Sequence, residues 1–489
     1  MGFQTKLYLA LAMAGYSDAY FRMSCPGRVA RERLDPIAYP GAISGHVHTV
    51  SGGSGFSADM TYETARSSLC SSCTIKEDKS NYWTPQLYVH KKDGTYQPVP
   101  VMGDPQDING GMTVYYLQRP SPATEKLTAF PAGFRMLAGD STKRTVGAND
   151  LATKGISFAC LGSNQPETNM IPSYKCPSGM RAQVFFPSCW NGRDLDSADH
   201  KSHMSYPNST NYDNGPCTST HPVHTISIFY EVYYDTALFD DEWNGSQHPF
   251  VFANGDTTGY GLHGDFFNGW DVDVLQAAID TCTDNSGLVE RCSAVTQYTM
   301  AQTQACWVPS TVAENVSGRL RKLPGCNDAS VARSQCSDST TWGTSPADSN
   351  YKDVSASLGW RYAGCGADNI ADRAFTNAST ASSTAMTIEA CIAYCDARSL
   401  PYAGLEYGQE CFCADRLHPR YAPLDGIMGN CRYKCVGDDT EVCGGWAAMS
   451  IYQKCGPGVA CLNWDFNARS GGNGTRAKRG GVEEEEVVQ

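Results

Sequence analysis

The stretch His224–Thr236, HTISIFYEVYYDT, decides the fold class. Ile226, Ile228, Tyr230, Val232 and Tyr234 recur at period two, and Thr225, Ser227, Phe229, Glu231 and Tyr233 fill the alternate positions. Successive side chains of an extended chain point to opposite faces, so this pattern predicts a strand with one face on a core. The surroundings agree. QLYVHKKDGTYQPVPV, residues 86–101, reads as strand, turn and strand, with Asp93-Gly94 at the turn. MTVYYLQ (112–118), ISFACLG (156–162) and AQVFFP (182–187) look like further strands. DVDVLQAAIDTC (271–282) is the one clear helix, with Asp271 as its cap. The expected class is mainly β: an antiparallel β-sandwich or jelly-roll-like large domain.

Composition sets the compartment. The chain has 489 residues, room for two to four domains, and a net charge of −13, which argues against a nucleic-acid partner. It carries 22 cysteines. Cys70-Ser-Ser-Cys73 is the sole CxxC and lacks a second pair at zinc-site spacing, so disulfides in an oxidising compartment are expected. Sequons at Asn208, Asn244, Asn315, Asn377 and Asn473 agree with secretion. Lys6, the apolar run Leu7–Ala14, and Ser17 and Ala19 read as a signal peptide over 1–19. No stretch reaches bilayer-spanning length. The expectation is a secreted, extracellular or cell-wall-associated monomer with no membrane span.

Texture divides the rest. Residues 20–292 form the β-rich domain. Residues 293–357 hold Cys306, Cys326 and Cys336 and then a Ser/Thr/Asp-rich run that reads as a linker. Residues 358–455 hold Cys365, Cys391, Cys395, Cys411, Cys413, Cys431, Cys435 and Cys443. A unit this small buries little core, so four disulfides would compensate, and their connectivity is open. Residues 456–489 read as a disordered acidic tail.

The cysteine module resembles a known family. YAGCGADNIADRAF, MTIEACIAYC, YAGLEYGQECFCAD and CRYKCVGDDTEVCGGWAAMSIY are similar to the WSC domain, an eight-cysteine extracellular module of α+β type. The resemblance implies binding to cell-wall glycans such as β-glucans. Tyr402, Glu406, Tyr407 and Trp446 are the candidate contacts, because a pyranose presents both C–H and hydroxyl surface. Packing against a disulfide is the competing role for each aromatic.

The large domain resembles the fungal family DUF1996. The similarity rests on FRMSCPGRVARERLDPIAYPGAISGHVHTVSGGSGF, CSSCTIKEDKSNYWTPQLY, FFPSCWNGRDLDSADHKSHMSYP and GDTTGYGLHGDFFNGWD. This likeness brings no activity, so the polar residues are read directly. If residues 46–48 are extended, His46 and His48 share a face and can offer two imidazoles to a divalent metal. His263, His203 or Asp265 could supply a third ligand, giving His46, His48 and His263 as the metal set. The alternative is hydrogen bonding to polar neighbours. Glycoside hydrolysis needs two carboxyl groups, and Asp265, Glu231, Asp194, Asp196 and Asp78 are candidates. A lyase would pair a base with a cation, from His48, His203, Tyr82 and Lys79. Catalytic candidates are therefore His48, His203, Glu231, His263 and Asp265, and Lys79, Tyr82 and Trp83 are candidate sugar contacts. Ser54 in GGSGF lacks the nucleophile-elbow spacing. Two functions remain: a secreted hydrolase or lyase targeted to polysaccharide by its WSC module, or a non-catalytic wall glycan-binding or adhesion protein.

Overall fold

A computed structural model describes residues 19–102, 111–147, 150–207, 211–327, 338–343, 351–424 and 427–464. The stretch expected to be a signal peptide, apart from Ala19, lies outside the described residues, as do the sequons Asn208 and Asn473, part of the Ser/Thr-rich run and the acidic end.

The opening stretch folds as the strand Ser227–Tyr234 and lies at the centre of a five-stranded antiparallel sheet. Its neighbours are Met112–Leu117 and Met180–Phe185, flanked by Tyr20–Cys25 and Ile156–Cys160. A second antiparallel sheet runs Ala30–Glu32, His48–Gly52, Asn81–Pro85, His263–Phe267 and Arg135–Gly139. Ile228, Tyr230 and Val232 of the first sheet meet Tyr82, Phe266 and Met136 of the second in one core. Each side chain so buried contributes about 1.5–3 kcal/mol. The Tyr82 and Tyr230 rings cross edge to face at 5.8 Å, and the Tyr230 hydroxyl donates to the Asp265 carbonyl at 2.8 Å. Gly264 permits this approach: a Cβ there would lie 3.0 Å from Val184 and 2.9 Å from Phe186. The arrangement is the expected sandwich.

The predicted hairpin forms from Leu87–His90 and Tyr96–Pro98, extended by Phe250–Phe252. The predicted helix spans Val272–Thr281, with the Asp271 carboxylate accepting from the Val274 amide. It buries Leu275, Ala278 and Ile279 in the main core.

The segment after residue 292 is more than a connector. Cys306 is bonded to Cys70, and Val308 and Val312 pack with Val50, Trp83 and Phe267 against the outer face of the second sheet. Glu32 accepts from the Thr311 amide, and buried Arg33 is paired with Glu314 and Asp338. The sequence misses this because the polar partners lie more than 270 positions apart and the two cysteines 236 apart.

The cysteine module carries a five-stranded sheet, Trp360–Ala367, Ala448–Lys454, Tyr402–Glu406, Glu410–Ala414 and Ala378–Ala381 in spatial order, with helix Ile388–Asp396 against it. Its bonds are Cys365–Cys431, Cys391–Cys411, Cys395–Cys413 and Cys435–Cys443. Residues 456–464, expected in the tail, belong to this module. Cys455 is bonded to Cys461, and the Trp464 amide donates to Tyr362. Trp307 of the preceding segment enters the module's core, with the Arg432 guanidinium 4.0 Å from its ring centroid.

Candidate functional site

Strand alternation sets which side chains can meet. In His263–Phe267, Phe266 faces the sandwich core, so His263, Asp265 and Phe267 face outward. The register places Asp265 between Trp83 and Leu137. His48 and Val50 lie on the same outward face of their strand. His46 precedes the strand in a bend, yet its ring centroid lies 4.3 Å from that of His48.

Three imidazoles converge here. His46 Nε2 is 3.2 Å from His263 Nε2, which is 3.5 Å from His48 Nε2. His48 Nδ1 is 2.8 Å from the Leu34 carbonyl, and His263 Nδ1 is 3.0 Å from that of Gly261. A carbonyl only accepts, so both Nδ1 atoms carry the proton and both Nε2 atoms present lone pairs. Burial pushes the His48 and His263 imidazoles down to about 4, which holds them neutral. Gly139, opposite His263, has φ +82°, and a Cβ there would lie 2.6 Å from the Leu262 carbonyl.

Asp265 completes the cluster. Its carboxylate is 3.9 Å from His263 Nε2, is wholly buried, and has no hydrogen-bond partner on either oxygen. Burial between apolar neighbours pushes this carboxyl well above its ordinary range, and Asp35 adds to the shift. Asp35 is also raised by burial, although the Ala38 and Ile37 amides donate to it.

His46, His263 and Asp35 open onto a cavity of about 630 Å³. Lys201 and Arg144 bring positive charge to its wall, and Asn327 and Asp338 also line it. Sequence reasoning did not find Asp35, Lys201 or Arg144. They come from separate loops, and no local spacing marks them.

The structure places the other candidates elsewhere. Tyr82 is in the sandwich core, where its hydroxyl donates to Asp78, and Trp83 is fully buried under Val308 and Val312. Neither offers a face to a sugar. Lys79 donates to the Tyr298 hydroxyl at 2.5 Å rather than entering the cavity. Glu231 lies on the face of the first sheet that points away from the core and is buried under Tyr115, Tyr233 and Arg181. His203 is committed at both nitrogens: Nε2 donates to the Arg135 carbonyl and Nδ1 lies 2.9 Å from the Ser197 hydroxyl. Asp194 pairs with Arg193, and Asp196 with Arg135 and His200.

On the module, Tyr407 is 49% exposed and Trp446 is 46% exposed, and the Tyr433 ring lies 5.4 Å from that of Tyr407. Tyr402 is half-buried and accepts from Gln453. Glu406 is buried beside Asp368, with Arg373 bridging the two carboxyls.

Comparison with known proteins divides the chain in the same way. Residues 35–270 match the family described as domain of unknown function DUF1996, and residues 362–445 match the WSC domain. A WSC domain-containing protein of Arthroderma benhamiae is 35% identical over 96 residues, 20% of this chain and 10% of that protein. Xylosyltransferase oxt of Drosophila melanogaster is 36% identical over 90 residues, 18% and 10% of the two chains. A putative fungistatic metabolite of Chaetomium globosum is 37% identical over 81 residues, 17% and 36%. The chain thus spans only a small part of these relatives' lengths. Among the described residues, no helix is long and apolar enough to cross a membrane.

Proposed function

We propose that this chain, which joins a DUF1996 domain to a WSC domain, is a secreted, cell-wall-directed protein that cleaves a polysaccharide in the histidine-floored cavity. One observation carries the reading: three buried imidazoles and an unpaired buried carboxylate meet beneath a cavity with room for sugar units. Unpaired buried carboxylates cost stability, so they are maintained where they do chemistry. Asp35, raised by burial and standing on the wall, suits the donation of a proton to a leaving glycosidic oxygen. Lys201 suits the neutralisation of negative charge on the substrate or on the developing oxyanion. The exposed Tyr407 and Trp446 suit glycan capture, which raises the local concentration of polymer.

The test is incubation of the full chain with a panel of fungal and plant polysaccharides in metal-replete buffer, followed by product analysis. New reducing ends indicate hydrolysis, and unsaturated uronate ends indicate elimination. Asp35→Asn should abolish release and leave pull-down by the polymer intact. If no polymer is shortened while the wild type is still retained on polysaccharide, the chain is a glycan binder and the proposal fails.

A further inference from the structure

Two contacts between ring nitrogens meet at His263 Nε2, and each such nitrogen holds either one proton or one lone pair. His263 Nε2 faces His46 Nε2 at 3.2 Å and His48 Nε2 at 3.5 Å. Nδ1 of both His48 and His263 is the protonated nitrogen, so the contact between these two is lone pair against lone pair. One proton on His46 could satisfy a single contact and would leave the other repulsive. A cation at the centre satisfies all three.

The spacing also fits a coordination polyhedron. Metal–imidazole bonds of about 2.0–2.1 Å at tetrahedral angles put ligand nitrogens about 3.3–3.4 Å apart. The observed 3.2 and 3.5 Å bracket that edge. The Leu34 and Gly261 carbonyls fix the ring orientations and tautomers as the outer partners of metal-bound histidines do. A buried dication also needs anions nearby. Asp265, wholly buried with both oxygens unpaired and 3.9 Å from His263, provides one.

We infer that His46, His48 and His263 bind one divalent first-row transition-metal ion through Nε2, with Asp265 as its counter-charge and the vacant coordination side toward the cavity. The other two Cys/His groupings among the described residues offer no competing site, since their sulfurs are committed to Cys189–Cys217 and to Cys391–Cys411 and Cys395–Cys413. Imidazole ligands suit zinc, copper, iron or nickel better than calcium or magnesium. The inference rests on the proposed cleavage only for its place in a working cavity.

Full-length protein is stripped with chelator and titrated with Co²⁺ and, separately, Zn²⁺, and bound metal is measured by elemental analysis after gel filtration. One ion per chain is expected, with the strong visible d–d absorption of low-coordinate Co²⁺. His263→Ala should weaken binding by about 100-fold or more. His46→Gln, at the cavity rim, should do the same and keeps the test valid if the deeper variant fails to fold. His203→Ala removes another buried imidazole and should leave affinity unchanged. Substoichiometric metal in the wild type, or equal affinity in wild type and His46→Gln, overturns the site. Polymer cleavage by a chain that binds no ion rejects the metal and leaves the proposed function standing. A bound ion without cleavage of any polymer does the reverse.

Discussion

Tyr82→Phe separates a core role for this residue from a sugar contact. Trp270 Nε1 donates to the Tyr116 hydroxyl at 2.7 Å, and the Tyr116 and Tyr82 hydroxyls are 2.7 Å apart. Tyr82 in turn donates to the Asp78 carboxylate. An indole N–H only donates and a carboxylate only accepts, so the protons run one way, from Trp270 through Tyr116 and Tyr82 to Asp78. All four residues are fully buried or nearly so. Removing the Tyr82 hydroxyl takes the charge-assisted bond from Asp78, about 1.5–3 kcal/mol, and the acceptor from Tyr116, about 0.5–1.5 kcal/mol. The expected loss is about 2–4 kcal/mol, or about 2–4 °C of melting temperature per kcal/mol in a domain of this size. Urea denaturation of the full chain measures it, with polysaccharide pull-down in parallel. The expected result is a lower urea midpoint with unchanged glycan retention. An unchanged midpoint with weakened retention would refute the reasoning and return Tyr82 to the sugar surface.

Three further outcomes follow from the geometry. Trp307→Ala removes an indole from the module's core together with its Arg432 contact, at a cost of about 3–5 kcal/mol; calorimetry should show the module melting earlier, as a separate transition. Trp446→Ala and Tyr407→Ala remove side chains that are about half exposed, so each should weaken glycan retention while moving the melting temperature little. Burial and the neighbouring Asp368 push the Glu406 carboxyl up to about 9. Between the ordinary glutamate range and that value, the folded module holds a proton that the unfolded chain has released. Stability should therefore fall as pH rises through this window, by up to about 1.4 kcal/mol per pH unit. Glu406→Gln should flatten that dependence in urea titrations of the full chain.

What was legible in the sequence was local and periodic. The alternation in HTISIFYEVYYDT assigned Tyr230 to the core side and Glu231 to the opposite face, as observed. His-x-His marked two imidazoles that do meet, though through a bend at His46 rather than a shared strand face, and the glycine-rich setting of His263 marked the third. What stayed hidden was whether a polar residue was already spoken for. His203 and Glu231 look as chemical as His263 and Asp265 in one dimension. Partners both near and far along the chain occupy the first two, and the Asp265 carboxylate is left unsatisfied. Tyr82 and Trp83 misled for a related reason: an aromatic in polar company reads as a sugar platform until the opposite sheet and the segment after residue 292 cover it.

Asn327 and Asp338, which line the cavity, stand outside the span 35–270 that matches the family. An open trough lets a polymer run through and be cut at internal bonds. On the proposed cleavage, a relative that kept the imidazoles and lost these two lining residues would have a more open cavity, in which internal bonds of a polymer are reached more readily. The segment after residue 292 would then shape what the cavity admits, with the three-histidine floor held constant.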